Sequence, residues 1–133
     1  MANWEPRMLS VLRIMTGLLY MEHGMSKLFD FPPTDFHPSF PTLIWFAGVL
    51  ECFGGALVAL GLFTRVVAFL LSGEMAIGYF MFHFPKSFFP LLNGGDAAVL
   101  YCFIFLYLAL AGGGEWSVDS VRSSAGTPAR SGV

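Results

Sequence analysis

The sequence predicts an all-α integral membrane protein, a four-helix antiparallel transmembrane bundle with both termini in the cytoplasm. Three features support this prediction: few charged residues, four apolar stretches of bilayer-crossing length, and basic residues concentrated on one side of those stretches. The 133 residues are 56% hydrophobic and 12% charged, whereas soluble domains carry about 25% charged residues. A chain this short leaves much of its surface facing outward. We therefore expect that surface to contact the lipid bilayer.

The same composition excludes several functional classes. A formal net charge of -2 provides no basic surface for nucleic acid, and two cysteines cannot form a disulfide framework. Four crossings of about 20 residues each leave no room for a soluble catalytic domain. We predict one membrane domain over residues 1–119, followed by a disordered cytoplasmic tail over residues 120–133, which are rich in Ser, Gly and Ala.

Apolar stretches bounded by helix breakers predict spans at about residues 8–29, 42–63, 66–84 and 96–113. In the second span, eleven strongly apolar residues contribute roughly -3 to -6 kcal/mol to insertion, against about +3 kcal/mol for Glu51. In the first span, Arg13 and Lys27 lie near the ends, where long side chains can snorkel to the interface. A tight turn at Thr64 and Arg65 joins the second and third spans. The loop at residues 30–41 contains four prolines and is predicted to be irregular.

The distribution of basic residues predicts the orientation. One side of the predicted bundle carries Arg7, Arg13, Arg65, Arg122 and Arg130, and the other carries Lys27 and Lys86. Because cytoplasmic loops are enriched in Lys and Arg, the side with five arginines is predicted to be cytoplasmic. Both termini lie on that side.

Ionisable residues in the spans are the candidate functional residues, because a charge in hydrocarbon is costly and usually faces a partner or a cavity. The candidate ligand-binding residues are Arg13, His23, Lys27, Glu51, Glu74 and Asp96. Three of them, His23, Lys27 and Glu51, are also the catalytic candidates. With a helical rise of 1.5 Å per residue, these three lie about 3 to 14 Å below the outer boundary. We expect them to form one polar cluster in the outer half of the bundle, which can extend to Glu74 and Asp96.

Small residues indicate where the first two helices meet. On a helical wheel, the first helix places Arg13, Gly17, Tyr20, Gly24 and Lys27 on one stripe. The second helix has a stripe of small residues, which are Gly48, Cys52, Gly55 and Ala59. Such a stripe allows close helix approach, so Glu51 beside it is predicted to lie at a helix–helix contact.

Each candidate also has a purely structural interpretation. Arg13 and Lys27 could be interfacial anchors, and His23 and Glu51 could be a buried hydrogen-bonded pair. Asp96 could simply stabilise a helix N-terminus. Cys52 and Cys102 lie at similar depth, which allows either a redox pair or two small buried residues. The histidines are in separate segments without metal-ligand spacing, so no metal site is predicted.

Several segments together resemble one family. They are LRIMTGLLYMEHGMSKLFDFP from residue 12, FAGVLECFGGALVALGLFTR from residue 46, HFPKSFFPLLNGGDAAVLY from residue 83 and GGGEWSVD from residue 112. Over residues 8–119 the chain resembles the DoxX family of small four-helix membrane proteins. It departs from the family at Asp96, where Glu is frequent, and at Gly113, where Pro is common. A carboxylate at a helix start and a helix breaker are retained at these positions.

The resemblance implies a multi-pass protein of the bacterial plasma membrane, related to membrane subunits of quinone-linked oxidoreductases. It implies no covalently bound cofactor, and the sequence has no flavin, haem or iron–sulfur motif. Electrons would therefore come from a partner redox subunit. Our hypothesis is that the polar cluster binds a quinone head group or relays its protons. The alternative is a non-enzymatic scaffold or small-solute carrier with structural buried charges. Marginal insertion of the first span also suggests a partner subunit or a homo-oligomer.

Overall fold

The described part of the chain consists of helices joined by irregular segments, as the sequence predicts. The computed structural model describes residues 3–125 and contains no strand there. Its helices are α1 (Glu5–Phe29), α2 (Leu43–Leu60), α3 (Thr64–Gly78), α4 (Pro90–Asn93), α5 (Asp96–Ala111) and α6 (Val118–Ala125). A π-helical turn (Tyr79–His83) and a 3-10 turn (Phe84–Lys86) follow α3 directly.

Local sequence determines where the first two helices begin and end. Pro6 lies in the first turn of α1, where its missing N–H has no intrahelical partner to lose. The left-handed Asp30 ends that helix with φ 53°. Thr42 caps α2 by accepting a hydrogen bond from the Trp45 N–H at 3.3 Å. Gly61 ends α2 in the left-handed conformation at φ 72°, which glycine adopts without strain.

Within residues 3–125, two helical segments are long and apolar enough to cross a membrane by length and composition. They are α2 and the continuous segment Thr64–Lys86, which extends the predicted third span at both ends. α5 is apolar but has sixteen residues. α1 has 25 residues, and its charged residues lower its hydropathy. The four-span bundle and its orientation therefore stay predictions at this point.

The prediction of a disordered tail from residue 120 is wrong for residues 120–125, which form part of α6. Asp119 holds the start of this helix against the α2–α3 turn. Its carboxylate accepts hydrogen bonds from the Phe63 and Thr64 N–H groups, both at 2.9 Å. Its own N–H donates to the Gly61 carbonyl at 2.9 Å. Amino-acid composition does not predict such long-range contacts. Residues 126–133 lie outside the described residues.

The helices associate mainly as two pairs, α1 with α2 and α3 with α5, with smaller contacts between α2 and α3 and between α1 and α5. The buried apolar core consists of Tyr20, Val58, Ala68, Leu71, Phe105 and Leu108. Large apolar side chains are exposed on all four long helices, including Leu18, Phe53, Phe69 and Phe103. Such an extended apolar surface is suited to lipid contact.

The predicted close contact between α1 and α2 is confirmed. A Cβ on Gly17 would lie 2.5 Å from the Ala59 nitrogen and 2.8 Å from the Gly55 carbonyl oxygen. A Cβ on Gly24 would collide with the α2 backbone at Cys52. Only glycine permits this backbone approach.

Candidate functional site

A cavity of about 980 Å³ lies between α2 and the segment formed by α3 and the π-helical turn. Its polar lining residues are Lys27, Glu51, Glu74, Tyr79, His83 and Lys86. The remaining lining is apolar, and several of its side chains, among them Phe46, Phe69 and Ile77, are exposed on the outer surface. The cavity is therefore open to the outer surface of the helices, and its volume falls within the range of ligand-binding clefts.

An ion pair between α1 and α2 forms part of the polar lining. The Lys27 Nζ lies 2.6 Å from both carboxylate oxygens of Glu51, and Glu51 is 4% exposed. The glycine at position 48 leaves room for the lysine stem, since a Cβ there would lie 3.0 Å from the Lys27 Cβ. Two predicted residues are thus brought together. Lys27 is a paired charge rather than a simple interfacial anchor.

Glu74 on α3 is the second carboxylate at the cavity. Its Oε2 accepts a hydrogen bond from the Tyr20 hydroxyl at 2.6 Å, which connects α3 to α1. Its Oε1 is withdrawn from solvent and has no hydrogen-bond partner among the described residues. Tyr20, 1% exposed, was absent from the candidate set. Tyr20 lies on the same stripe of α1 as Lys27, and this shared position is the feature of the sequence that could have identified it.

Two members of the predicted cluster, His23 and Asp96, lie outside the cavity lining, so the cluster is smaller than expected. His23 is exposed, and its Nδ1 bonds to the Leu19 carbonyl of its own helix at 2.8 Å. Its ring packs edge-on against Tyr101, so the proposed His23–Glu51 pair does not form. Asp96 is exposed at the start of α5, a helix that contributes only Ala98 to the lining.

A hydrogen-bond network holds the π-helical turn at the cavity. The His83 Nδ1 donates to the Asn93 carbonyl at 3.1 Å. The Asn93 Nδ2 in turn donates to the Tyr79 hydroxyl at 3.1 Å and to the Ser87 carbonyl at 3.0 Å. Asn93 is 2% exposed, so this network is shielded from solvent. π-helical turns are frequent at functional sites, and the sequence pattern gave no sign of this one.

Lys86 completes the polar side of the cavity. It is exposed, and none of the ion pairs in residues 3–125 includes it. With Lys27 it provides a second positive charge at the lining.

Arg13 lies at the other end of α1, away from this cavity. It is fully buried and does not snorkel. Its Nε donates to the Gly113 carbonyl at 2.7 Å, and its Nη1 to the Val58 and Ala59 carbonyls at 2.8 and 2.5 Å. Its Nη2 donates to the Trp116 carbonyl. Because carbonyls from the last turn of α2 and from the segment after α5 surround the guanidinium, Arg13 ties that segment to α1 and α2.

The two cysteines are free and contact different helices. Cys102 lies 3.5 Å from the Ser72 hydroxyl of α3, measured from its Sγ, whereas the Cys52 backbone faces Gly24 of α1. They are therefore arranged as small packing residues. In residues 3–125, no group of three or more His, Cys, Asp or Glu side chains is placed to hold a metal ion.

Comparison with known proteins gives two matches. The sequence model of the DoxX family matches residues 8–84, a range that includes every polar cavity residue except Lys86. An uncharacterized protein of Haemophilus influenzae is 39% identical over 125 residues, which cover 89% of this chain and 92% of that relative. No solved structure matches the chain significantly.

Proposed function

Because the chain belongs to the DoxX family, we propose that it is a multi-pass protein of a bacterial inner membrane that binds a quinone-type molecule. The observation that supports this most strongly is the cavity between α2 and α3. It combines a laterally open apolar wall with a polar end formed by Lys27, Glu51 and Glu74. A lipid-soluble molecule could enter it from the bilayer without crossing water.

The chemistry of the lining fits a small polar head group on an apolar body. An ammonium group has three donors, and Glu51 takes at most two from Lys27, which leaves one N–H for a carbonyl oxygen. Glu51 and Glu74 can hold or release a proton beside that position. A bound quinone supplies reversible chemistry of two electrons and two protons, while the protein binds, orients and excludes water.

In this proposal all four long helices cross the membrane, both termini are cytoplasmic, and the cavity lies in the outer half of the bilayer. The protein acts as a membrane subunit or accessory of a redox complex, and a partner subunit carries the electron-transfer groups. Gentle detergent extraction tests this partnership. A redox subunit and a quinone are expected to co-purify with the protein.

Equilibrium binding of a short-chain benzoquinone to the purified protein tests the proposal directly. We expect saturable binding that weakens by about tenfold or more in Lys27→Met and Glu51→Gln, since each removes a charged group of the head-group end. Glu22→Gln, at an exposed position of α1, is the matched control. Absence of saturable binding, or unchanged binding in both cavity variants, would refute the proposal.

The competing function is a scaffold or small-solute carrier, which the Lys27–Glu51 pair itself favours. Both oxygens of Glu51 are satisfied by the lysine, as a purely structural ion pair requires. In that case, substitutions at the pair lower the amount of protein in the membrane. The redox activity of an associated complex, measured at equal protein amount, stays unchanged.

A further inference from the structure

The two carboxylates at the cavity differ in how their oxygens are satisfied. Both oxygens of Glu51 face the Lys27 ammonium at 2.6 Å. Of the two Glu74 oxygens, Oε2 accepts the Tyr20 hydroxyl hydrogen and Oε1 accepts none from residues 3–125. A buried carboxylate oxygen without a donor is unfavourable when the carboxyl is ionised. This atom is covered by protein in the ligand-free chain, so a bound molecule could satisfy it once the Glu74 side chain rotates towards the cavity that this residue lines.

The neighbouring groups do not fill this need. The single hydroxyl hydrogen of Tyr20 is already donated to Oε2. Lys27 directs two of its three N–H groups at Glu51 and has none within hydrogen-bonding distance of Oε1. Tyr79 lines the same cavity, but its hydroxyl is engaged by Asn93. Within residues 3–125 no donor lies within hydrogen-bonding distance of Oε1, so the hydroxyl of a bound molecule could supply the hydrogen to the ionised carboxylate.

We propose that Glu74 Oε1 accepts a hydroxyl hydrogen from the bound molecule, so that the cavity prefers a quinol over the corresponding quinone. This inference rests on the proposed function. A quinone has only acceptor oxygens and can satisfy Lys27 alone. A quinol hydroxyl can donate to Glu74 and still accept from Lys27 through its lone pairs. In this arrangement Glu74 contacts the bound molecule, and Tyr20 positions Glu74.

Three probes that share the same substituted six-membered ring test the proposal on the wild-type protein in detergent under anaerobic conditions. They are a short-chain benzoquinol, the matching benzoquinone and the dimethyl ether of the quinol, which lacks hydroxyl hydrogens. We expect the quinol to bind about tenfold or more tightly than either of the others, the effect of one hydrogen bond to a charged group. Because no variant is needed, folding defects cannot obscure the result.

Glu74→Gln provides the second test. The amide oxygen can still accept from Tyr20, which leaves an NH₂ donor where the ligand's hydroxyl hydrogen would point. The preference for the quinol is expected to disappear, whereas Glu22→Gln keeps it. Equal binding of quinol and dimethyl ether by the wild-type protein, or an unchanged preference in Glu74→Gln, would overturn the inference alone. Failure of all three probes to bind would overturn the proposed function as well.

Discussion

Two cations on the same face of α1, the fully buried Arg13 and the partly buried Lys27, have different surroundings. Arg13 and Lys27 are separated by fourteen residues, about 21 Å along the helix. Arg13 donates to four backbone carbonyls, whereas Lys27 pairs with a carboxylate beside a large cavity. A buried charge alone therefore does not identify a functional residue. The two ends of α1 differ in the partner of the cation. The partner is fixed backbone for Arg13 and an ionisable side chain beside the cavity for Lys27.

The largest expected effect on stability comes from replacing Arg13. Arg13→Met removes the arginine hydrogen bonds to four carbonyls, and breaking such a buried polar network costs about 3 to 5 kcal/mol. Denaturant unfolding of the purified protein in detergent measures this loss. Arg7→Met on the same helix removes a partly exposed ion pair with Glu115 and should cost about 1 kcal/mol or less. Equal stability of the two variants would contradict the structural role of Arg13.

The second prediction separates the two roles of the Lys27–Glu51 pair. Lys27→Met and Glu51→Leu each leave a partly or fully buried charge without its partner, and each is expected to lower the free energy of unfolding by about 2 to 3 kcal/mol. The double variant is expected to recover to within about 1 kcal/mol of wild type. Benzoquinone binding is expected to be weaker than wild type by about tenfold or more in all three variants. Recovery of binding together with stability in the double variant would show that neither charge contacts the ligand.

The third prediction concerns the glycine contact that brings Lys27 to Glu51. Gly24→Ala places a methyl group against the α2 backbone, and such overpacking costs about 1 to 3 kcal/mol. Gly73 is the matched control, because a Cβ there meets nothing within 4 Å. Gly73→Ala is expected to leave stability unchanged or to raise it slightly. Thermal unfolding of both variants in the same detergent checks the difference, and similar melting temperatures would refute the close packing.

The smallest effect is expected at Asp119, near the arginine end. Burial opposes its ionisation, but hydrogen bonds from Thr64 and Phe63 lower the pKa of this carboxyl below its ordinary value of 3.8. Asp119→Asn is expected to cost about 1 kcal/mol at neutral pH, as for a lost helix cap.

The pH dependence of this effect follows from the lowered pKa. Ionised Asp119 stabilises the fold fully above its unfolded-state pKa, and this contribution falls as the pH drops through the lower folded-state pKa. Unfolding measured at pH 7 and near pH 3 should therefore show a smaller difference between Asp119→Asn and wild type at the acidic pH. A constant difference would contradict the assignment.

The sequence predicts the local features of the molecule better than its long-range contacts. Helical periodicity placed Gly17, Gly24 and Glu51 at the α1–α2 contact, because that information lies within each helix. The partner of Glu74 was not predictable, since Tyr20 is separated from it by 54 residues. Arg13 was interpreted as an anchor because backbone carbonyls leave no sequence signature. The exposed position of His23 depends on a side-chain rotation towards its own helix, which residue spacing does not specify.

In the proposed function, the Lys27 end of the molecule binds a quinone-type ligand and the Arg13 end does not. The most direct measurement is photolabelling of the full-length protein with a photoreactive short-chain quinone, with the labelled residues mapped by mass spectrometry. The proposal predicts saturable labelling within residues 43–51 and 69–83, blocked by excess unlabelled quinone. Labelling spread over the exposed residues of α5, such as Leu100, Phe103 and Leu110, and insensitive to competition would contradict it.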